Sequence, residues 1–475
     1  MAKTKIKTPP TQAPEDLKKF VEDSARQPDG INDAIEQYDV ATHDVFSLSK
    51  RPKKEISKPD PNGLLNDDGT PKIVTSTEDV VRIGIPFQKL IVKRRAAFMN
   101  VGALVIQAKS AVKGQEEKAG KIVDAINAVI DKNKIRYKLK EAAKRMMSEK
   151  HCAMLFYSAP SSTEGSKPEL KMRLLSPGLG DELFPVFDGY GDLTHFGRGY
   201  QTKDESGKTV NHFDVYTSQE ITSFSDVSGT MVHTGNTPLK YTKLPIIYFS
   251  QDDSEWSDVQ SMIARLEELI SNFGDTNDYN GSPILVAKGI IKGFSAKGER
   301  GKVLEMDENA DVKYVNWDQA PESIKLEVET LIDLIYTMTQ TPNITLKELS
   351  GLGASGVSFD RIFMDPQLAA QDKLEGGFGE GMQRMINFIK AAICNVFEVS
   401  LKSAADIQVE PIVEPFRINS TSDQIENATA ANGGKPVVSR LTSIKMAGIV
   451  DDPEAELQAI LNEEDTLGNE IDEEI

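Results

Sequence analysis

The chain has 475 residues, enough for two to four domains and a sizeable core, and its 39% hydrophobic and 27% charged residues are ordinary for a soluble protein. A formal net charge of −18 argues against a protein built to grip nucleic acid, because that affinity comes from neutralising phosphates, but not against a conduit through which DNA must slide. No apolar run approaches the ~20 residues of a membrane span, the basic start at 1–7 lacks the apolar stretch of a signal peptide, and two distant cysteines, Cys152 and Cys394, suit a reducing cytoplasm rather than a disulfide framework.

Residues 1–72 read as a flexible N-terminal arm, partly helical over 14–38 and an extended linker over 50–72. Confident structure is expected from Ser76. Hydroxyls and acids at 76–79 precede Val80, Val81, Ile83, Phe87, Leu90 and Ile91, a helical spacing that Pro86 should kink or split. Helices follow at 117–132 and 135–150. From 153 the period becomes that of strands, at 153–157, 170–175, 195–200, 212–216 and 245–249, separated by Gly, Pro, Asp and Ser clusters. This predicts one meandering sheet packed on the helices, an α+β unit over 73–253.

A first helix is expected within 254–279. Ser257 with Gln260 makes a capping-box pattern, and Val259, Met262, Ile263, Leu266, Leu269, Ile270 and Phe273 form a wide apolar stripe. An insert at 280–320 holds strand-like runs at 283–286 and 312–315. A second helix over 321–342 opens on Pro321, buries Ile324, Val328, Leu331, Ile332, Ile335 and Met338, and carries an acidic face of Glu322, Glu327, Glu329 and Asp333. A glycine-studded loop, 343–356, leads into helical spacing to about residue 397, with a return strand before 434. The last part, 435–475, holds a helix with Leu441, Ile444, Ala447 and Ile449, another at 453–461, and an acidic tail with eleven Asp or Glu and no Lys or Arg between 451 and 475.

No catalytic constellation is visible. Gly351, Gly353 and Gly356 fit GxGxxG, but a dinucleotide loop must leave a buried strand, and here a helix precedes it, so a hinge is favoured. Residues 297–302 approach a phosphate loop but have Ala296 and Val303 where Gly and Ser or Thr belong. The same insert is locally basic through Lys288, Lys292, Lys297, Arg300 and Lys302, either a solvated turn or a contact for DNA or an acidic partner. The five histidines show no metal spacing, and the residues imply no cofactor.

The order of these parts resembles the portal proteins of tailed bacteriophages, in particular long-tailed phages. The residues that carry the likeness are the strand-like run at 244–249, the helix start at Ser257 and Asp258, the insert, the returning helix, the Gly-Ser-Gly loop and the long helix after it. The resemblance implies a mainly α, α+β portal fold: wing at 73–253, stem helices at 254–279 and 321–342, clip at 280–320, tunnel loop at 343–356, wing helix and return strand at 357–434, crown at 435–475. It implies a ring of twelve copies at one capsid vertex of the virion, assembled in the host cytoplasm, conducting double-stranded DNA during packaging and ejection. Its implied partners are terminase, major capsid and scaffolding proteins, and head-completion or adaptor proteins. In that reading Asn343, Lys347, Glu348 and the loop glycines face the DNA. Two alternatives stay open: another ring-forming virion protein that never touches DNA, and an enzyme using residues 351–356 to bind nucleotide.

Overall fold

Pairing between an extended segment, residues 79–86, and a distant helix sets the frame of the fold. The computed structural model describes residues 15–24, 27–60, 62–109, 115–160, 168–227, 229–280, 284–288, 291–294, 304–306, 311–315, 321–343, 362–417, 421–433, 436–450 and 452–473. It begins with α1 (Glu15–Asp23) and α2 (Ile31–Tyr38). Ile31 and Ala34 are buried, Tyr38 stacks on the buried Trp256 with ring centroids 5.6 Å apart, and Trp256 Nε1 donates to Gln37 Oε1 at 2.9 Å. Residues 31–38, expected in a flexible arm, therefore belong to the main core. Part of the expected linker instead forms β1 (Lys54–Pro59), which pairs antiparallel with β2 (Ile73–Glu78) just beyond it; Ser76 in β2 lies opposite Ile56 and caps no helix.

The helix expected from residue 80 starts only after Pro86, as α3 (Phe87–Phe98). The reason lies in what the amides before it do. Val81 N donates to Asp275 Oδ1 at 2.8 Å, Ile83 N to Ser271 Oγ at 3.0 Å and Ile85 N to Glu267 Oε1 at 2.6 Å. Alternate residues of an extended chain thus meet every fourth residue of α6 (Gln260–Asn280). Two extended residues advance ~6.6 Å and four helical ones ~6 Å, so the two periods match over this length.

After β3 (Val105–Ala108) come α4 (Glu116–Lys132) and α5 (Ile135–Glu149), close to the expected bounds. Ile122, Ile126 and Ile130, four apart, are fully buried, as helical spacing demands. The single sheet expected next is two. β4 (His151–Ala159) lies between β5 (Glu169–Leu175) and β11 (Ile246–Ser250), while β6 (Glu182–Phe187), β7 (Leu193–Lys203), β8 (Thr209–Tyr216), β9 (Glu220–Val227) and β10 (Thr230–Pro238) form an antiparallel meander. β11 returns to β4 instead of extending the meander. The sheets meet through Ala153, Leu155, Leu175 and Ile246 on one side and Leu183, Phe196 and Tyr216 on the other.

The capping box at Ser257 is not made: Ser257–Val259 is a 3₁₀ turn with no side-chain cap, and Gln260 Oε1 instead accepts from Gln88 Nε2 at 3.1 Å. Between α6 and α7 (Pro321–Met338), the insert is two ladders, β12 (Ile284–Lys288) with β15 (Asp311–Val315) and β13 (Ile291–Phe294) with β14 (Leu304–Met306). The long helix expected to reach 397 is broken at Gly376 into α8 (Met364–Glu375) and α9 (Gly377–Ala392), followed by a π-helical turn, Ile393–Phe397. Close approach fixes that elbow, since a Cβ on Gly379 would lie 1.7 Å from the Leu374 carbonyl oxygen. β16 (Val409–Ile412) then pairs with β3. The chain ends in α10 (Thr421–Asn432), α11 (Arg440–Ala447) and α12 (Pro453–Glu473), so the acidic tail is helical well beyond the expected 461.

Gly379→Ala is expected to lower the melting temperature, by an overpacking cost of ~1–3 kcal/mol or more. Gly376→Ala, whose Cβ would stand 3.0 Å from the Asp372 carbonyl, should cost less. Equal melting temperatures for Gly379→Ala and the wild type would contradict the elbow.

His43 and Glu267, both buried, meet at 2.7 Å. Burial opposes charge on the ring, but the Glu267 hydrogen bond and charge and the Gln37 carbonyl outweigh it and raise the His43 pKa. A raised folded pKa gives stability that is present in full below the unfolded value of ~6.5 and is lost as pH rises through the folded value. Hydrogen exchange over residues 31–46 should therefore be slower at pH 6 than at pH 8 once corrected for intrinsic rates. His43→Gln should remove that difference; an unchanged difference in the variant would assign it to another group.

Candidate functional site

The α6–α7 pair and the loop leaving it form the candidate site. On α6, Ile263, Leu266 and Leu269 are buried, as is Val259 in the turn before it, while Glu267 and Ser271 are buried with their polar atoms given to the extended segment. Arg51 extends that contact. Its guanidinium donates to Asp275 Oδ2 at 2.5 Å, Asn272 Oδ1 at 2.7 Å and the Val81 carbonyl at 3.0 Å. α6 is thereby fixed along its length.

α7 is held less completely. Only Ile335 of its stripe is fully buried, Val328, Leu331, Ile332 and Tyr336 pack partly against the core, and Met338, expected inside, is 59% exposed. The two helices are bridged by Arg265, whose guanidinium lies 3.0 Å from Glu327 and 3.2 Å from Glu268; the Glu327 hydrogen bond leads the causes that raise its pKa. Glu327 therefore sits on the flank facing α6. Glu322, Glu329 and Asp333 are exposed on the side of α7 away from Ile335, with Leu326, 66% exposed, in the same row. Of the four expected acids, the structure groups three and separates Glu327.

The root of the loop is clamped by α3. Arg95 Nη2 donates to the Thr339 carbonyl at 2.8 Å, Arg94 Nη1 donates to the Pro342 carbonyl, and the Arg94 guanidinium stands 5.5 Å from the Tyr336 ring centre. Thr339 Oγ1 donates back to the Ile335 carbonyl at 2.7 Å, and Gln340 turns the chain with φ of 49°. Where the chain is described again, Phe363 packs on Phe98 of α3 with centroids 5.6 Å apart. Glu255 joins both sides, 3.4 Å from Arg95 and in an ion pair with Lys373 of α8. α3 thus holds the start of the loop and also Phe363, where the chain is described again. The sequence reading missed Arg94, Arg95, Glu255 and Lys373; the local signal was the run Lys93, Arg94 and Arg95 inside a helix that packs on the core.

Asn343 is the last described residue before the loop; Lys347, Glu348, Gly351, Gly353 and Gly356 lie outside the described residues. Lys288 ends β12 opposite Asp311 and Lys292 lies in β13, whereas Lys297, Arg300 and Lys302 lie outside them. The last described element before the GxGxxG run is the helix α7, whereas a dinucleotide site needs a strand leading directly into the loop. Among the described residues no group of three or more His, Cys, Asp or Glu is placed to hold a metal. Burial holds the His151 pKa down at about 4 and pushes the Cys152 thiol up, which leaves Cys152 a poor nucleophile. No helix among the described residues is long and apolar enough to cross a membrane.

The family model described as phage portal protein, SPP1 Gp6-like, matches residues 76–469. No curated protein matches the chain. A match over most of the 475 residues, joined to a helix pair that carries a β-ribbon insert and a loop at its root, decides the family: the chain belongs to the SPP1 Gp6-like phage portal proteins.

Proposed function

We propose that twelve copies of this chain form a ring at one capsid vertex and that double-stranded DNA passes through it during packaging and ejection. The family match over residues 76–469 carries this reading. The incompletely covered α7 supports it, because Leu326, Leu334 and Met338 remain exposed where a neighbouring copy can bury them. In the ring, α6 and α7 are the stem. Glu322, Glu329 and Asp333 turn like charge toward the phosphates and keep DNA from adhering, an effect felt over the ~8 Å Debye length at physiological salt.

The loop at 343–356 is the constriction. The α3 clamp fixes where it starts, while Gly351, Gly353 and Gly356 let its middle bend, and Lys347 and Glu348 are the charges it offers to DNA. The insert is the clip, where Lys288, Lys292, Lys297, Arg300 and Lys302 meet terminase and later head-completion and adaptor proteins. The body at 73–253 meets capsid and scaffolding proteins, and the C-terminal helices form the crown. Assembly takes place in the host cytoplasm. The role is positional and uses neither cofactor nor covalent chemistry.

Mass photometry of the purified protein, without nucleotide or metal, should show a species at twelve times the 52.3 kDa chain mass. Monomer alone across micromolar concentrations and several salt conditions would defeat the reading.

Replacing Gly351, Gly353 and Gly356 with Ala should leave rings intact and slow DNA packaging, at up to ~1 kcal/mol per site where φ is positive. Lys347→Glu should give a milder defect. Normal DNA movement through triple-Ala rings would remove the loop from the channel.

A further inference from the structure

A basic surface of this acidic chain lies on α5, inside the body that the portal reading gives to capsid and scaffolding proteins and to no DNA contact. Residues 132–150 hold eight Lys or Arg against Glu141 and Glu149, in a protein of net charge −18. Most of these cations are engaged. Lys132 pairs with Glu169 at 2.5 Å, Arg136 with Asp131, and Arg145 with Glu149 at 2.5 Å and Glu141 at 3.8 Å. Lys138 donates to the Met172 carbonyl at 2.7 Å and Lys150 to the Asp29 carbonyl at 2.8 Å.

Lys134, Lys140 and Lys144 are different. Among the described residues none of the three has an acidic partner within ion-pair distance. Lys134 and Lys140 are exposed, Lys144 is half-buried, and Tyr137 between them is 77% exposed. Helical spacing places all four on the side opposite Ile135, Leu139, Ala142, Ala143 and Met146, which are buried in the core. The result is a row of positive charge with an aromatic ring in it; the acid on this face, Glu141, lies 3.8 Å from Arg145. From 134 to 144 it extends ~15 Å.

We propose that this face of α5 is a second DNA surface, separate from channel and insert, which holds the backbone of double-stranded DNA without reading its sequence. A row suits a linear polyanion better than a compact acidic patch. B-DNA offers one phosphate per ~3.4 Å of axis on each strand, so ~15 Å faces four or five of them. Lys134, Lys140 and Lys144 give point charges to phosphate oxygens, and Tyr137 adds a hydroxyl of the kind that commonly contacts sugar and phosphate. The choice of DNA over an acidic protein rests on the portal reading.

The test uses the full-length protein and a fluorescently labelled random-sequence duplex, with anisotropy followed against salt. The combined Lys134→Gln, Lys140→Gln and Lys144→Gln variant should lose up to about 2.7 units of the slope of log K against log salt, at ~0.9 per phosphate contact. The matching Lys→Arg triple should keep the wild-type slope. Replacing Lys288, Lys292, Lys297, Arg300 and Lys302 with Gln should leave the α5 contribution in place. A Gln triple that binds with wild-type slope and affinity overturns the proposal, as does a wild type that binds no duplex at ~50 mM salt. Loss of polyglutamate binding with duplex binding intact also overturns it and gives the face to an acidic protein. Mass photometry on the same samples keeps the two readings apart: a chain that never forms rings fails as a portal, whatever the α5 variants do to duplex binding.

Discussion

Three hydrogen bonds between residues 81–85 and α6 are the constraint on which the rest of the structure depends. Glu267, Ser271 and Asp275 stand four apart on α6 and take the amides of Ile85, Ile83 and Val81. Neutral hydrogen bonds contribute ~0.5–1.5 kcal/mol each and those to charged acceptors ~1.5–3, so the seam is worth several kcal/mol when complete. It is costly when broken, because Glu267 is 2% exposed and a buried charge stripped of its partners costs ~3–5 kcal/mol. Close packing reinforces it: a Cβ on Gly274 would stand 2.8 Å from Val81 Cγ1. His43 and Arg51 then tie the N-terminal segment to the same helix face.

The seam determines where α6 lies, and the rest follows from α6. α7 packs on it through Arg265, and α3, which begins where the extended segment ends, supplies Arg94 and Arg95 to the root of the loop. One helix thus holds the start of that loop and Phe363, where the chain is described again. In the proposed ring, that anchoring suits a loop that guides a polyanion without retaining it. Under the same proposal the acids on the open side of α7 keep DNA moving, since attraction there would act as a brake.

What the sequence made legible was what local period alone decides. α4 and α5 fall within a residue of their expected bounds, α7 starts where expected and ends four residues early, and β12 and β15 take up the expected runs over 284–286 and 312–315. What stayed hidden depends on distant partners. Residues 80–86 look helical until Asp275, Ser271 and Glu267 take their amides, and residues 54–59 read as linker because their own spacing does not point to the strand they pair with, 73–78. The break at Gly376 turns on a backbone oxygen meeting Gly379, a contact that apolar spacing does not encode. The candidate site divides the same way: its acids and loop could be named from composition, whereas the Arg94 and Arg95 clamp joins residues more than 240 positions apart.

A cryo-EM reconstruction of the purified assembly tests the central claim most directly. The account predicts a closed ring with α6 and α7 around the bore, the loop at 343–356 at its narrowest point, and Glu322, Glu329 and Asp333 toward the channel axis. A ring with α7 on its outer wall, or a particle without a bore, would contradict it.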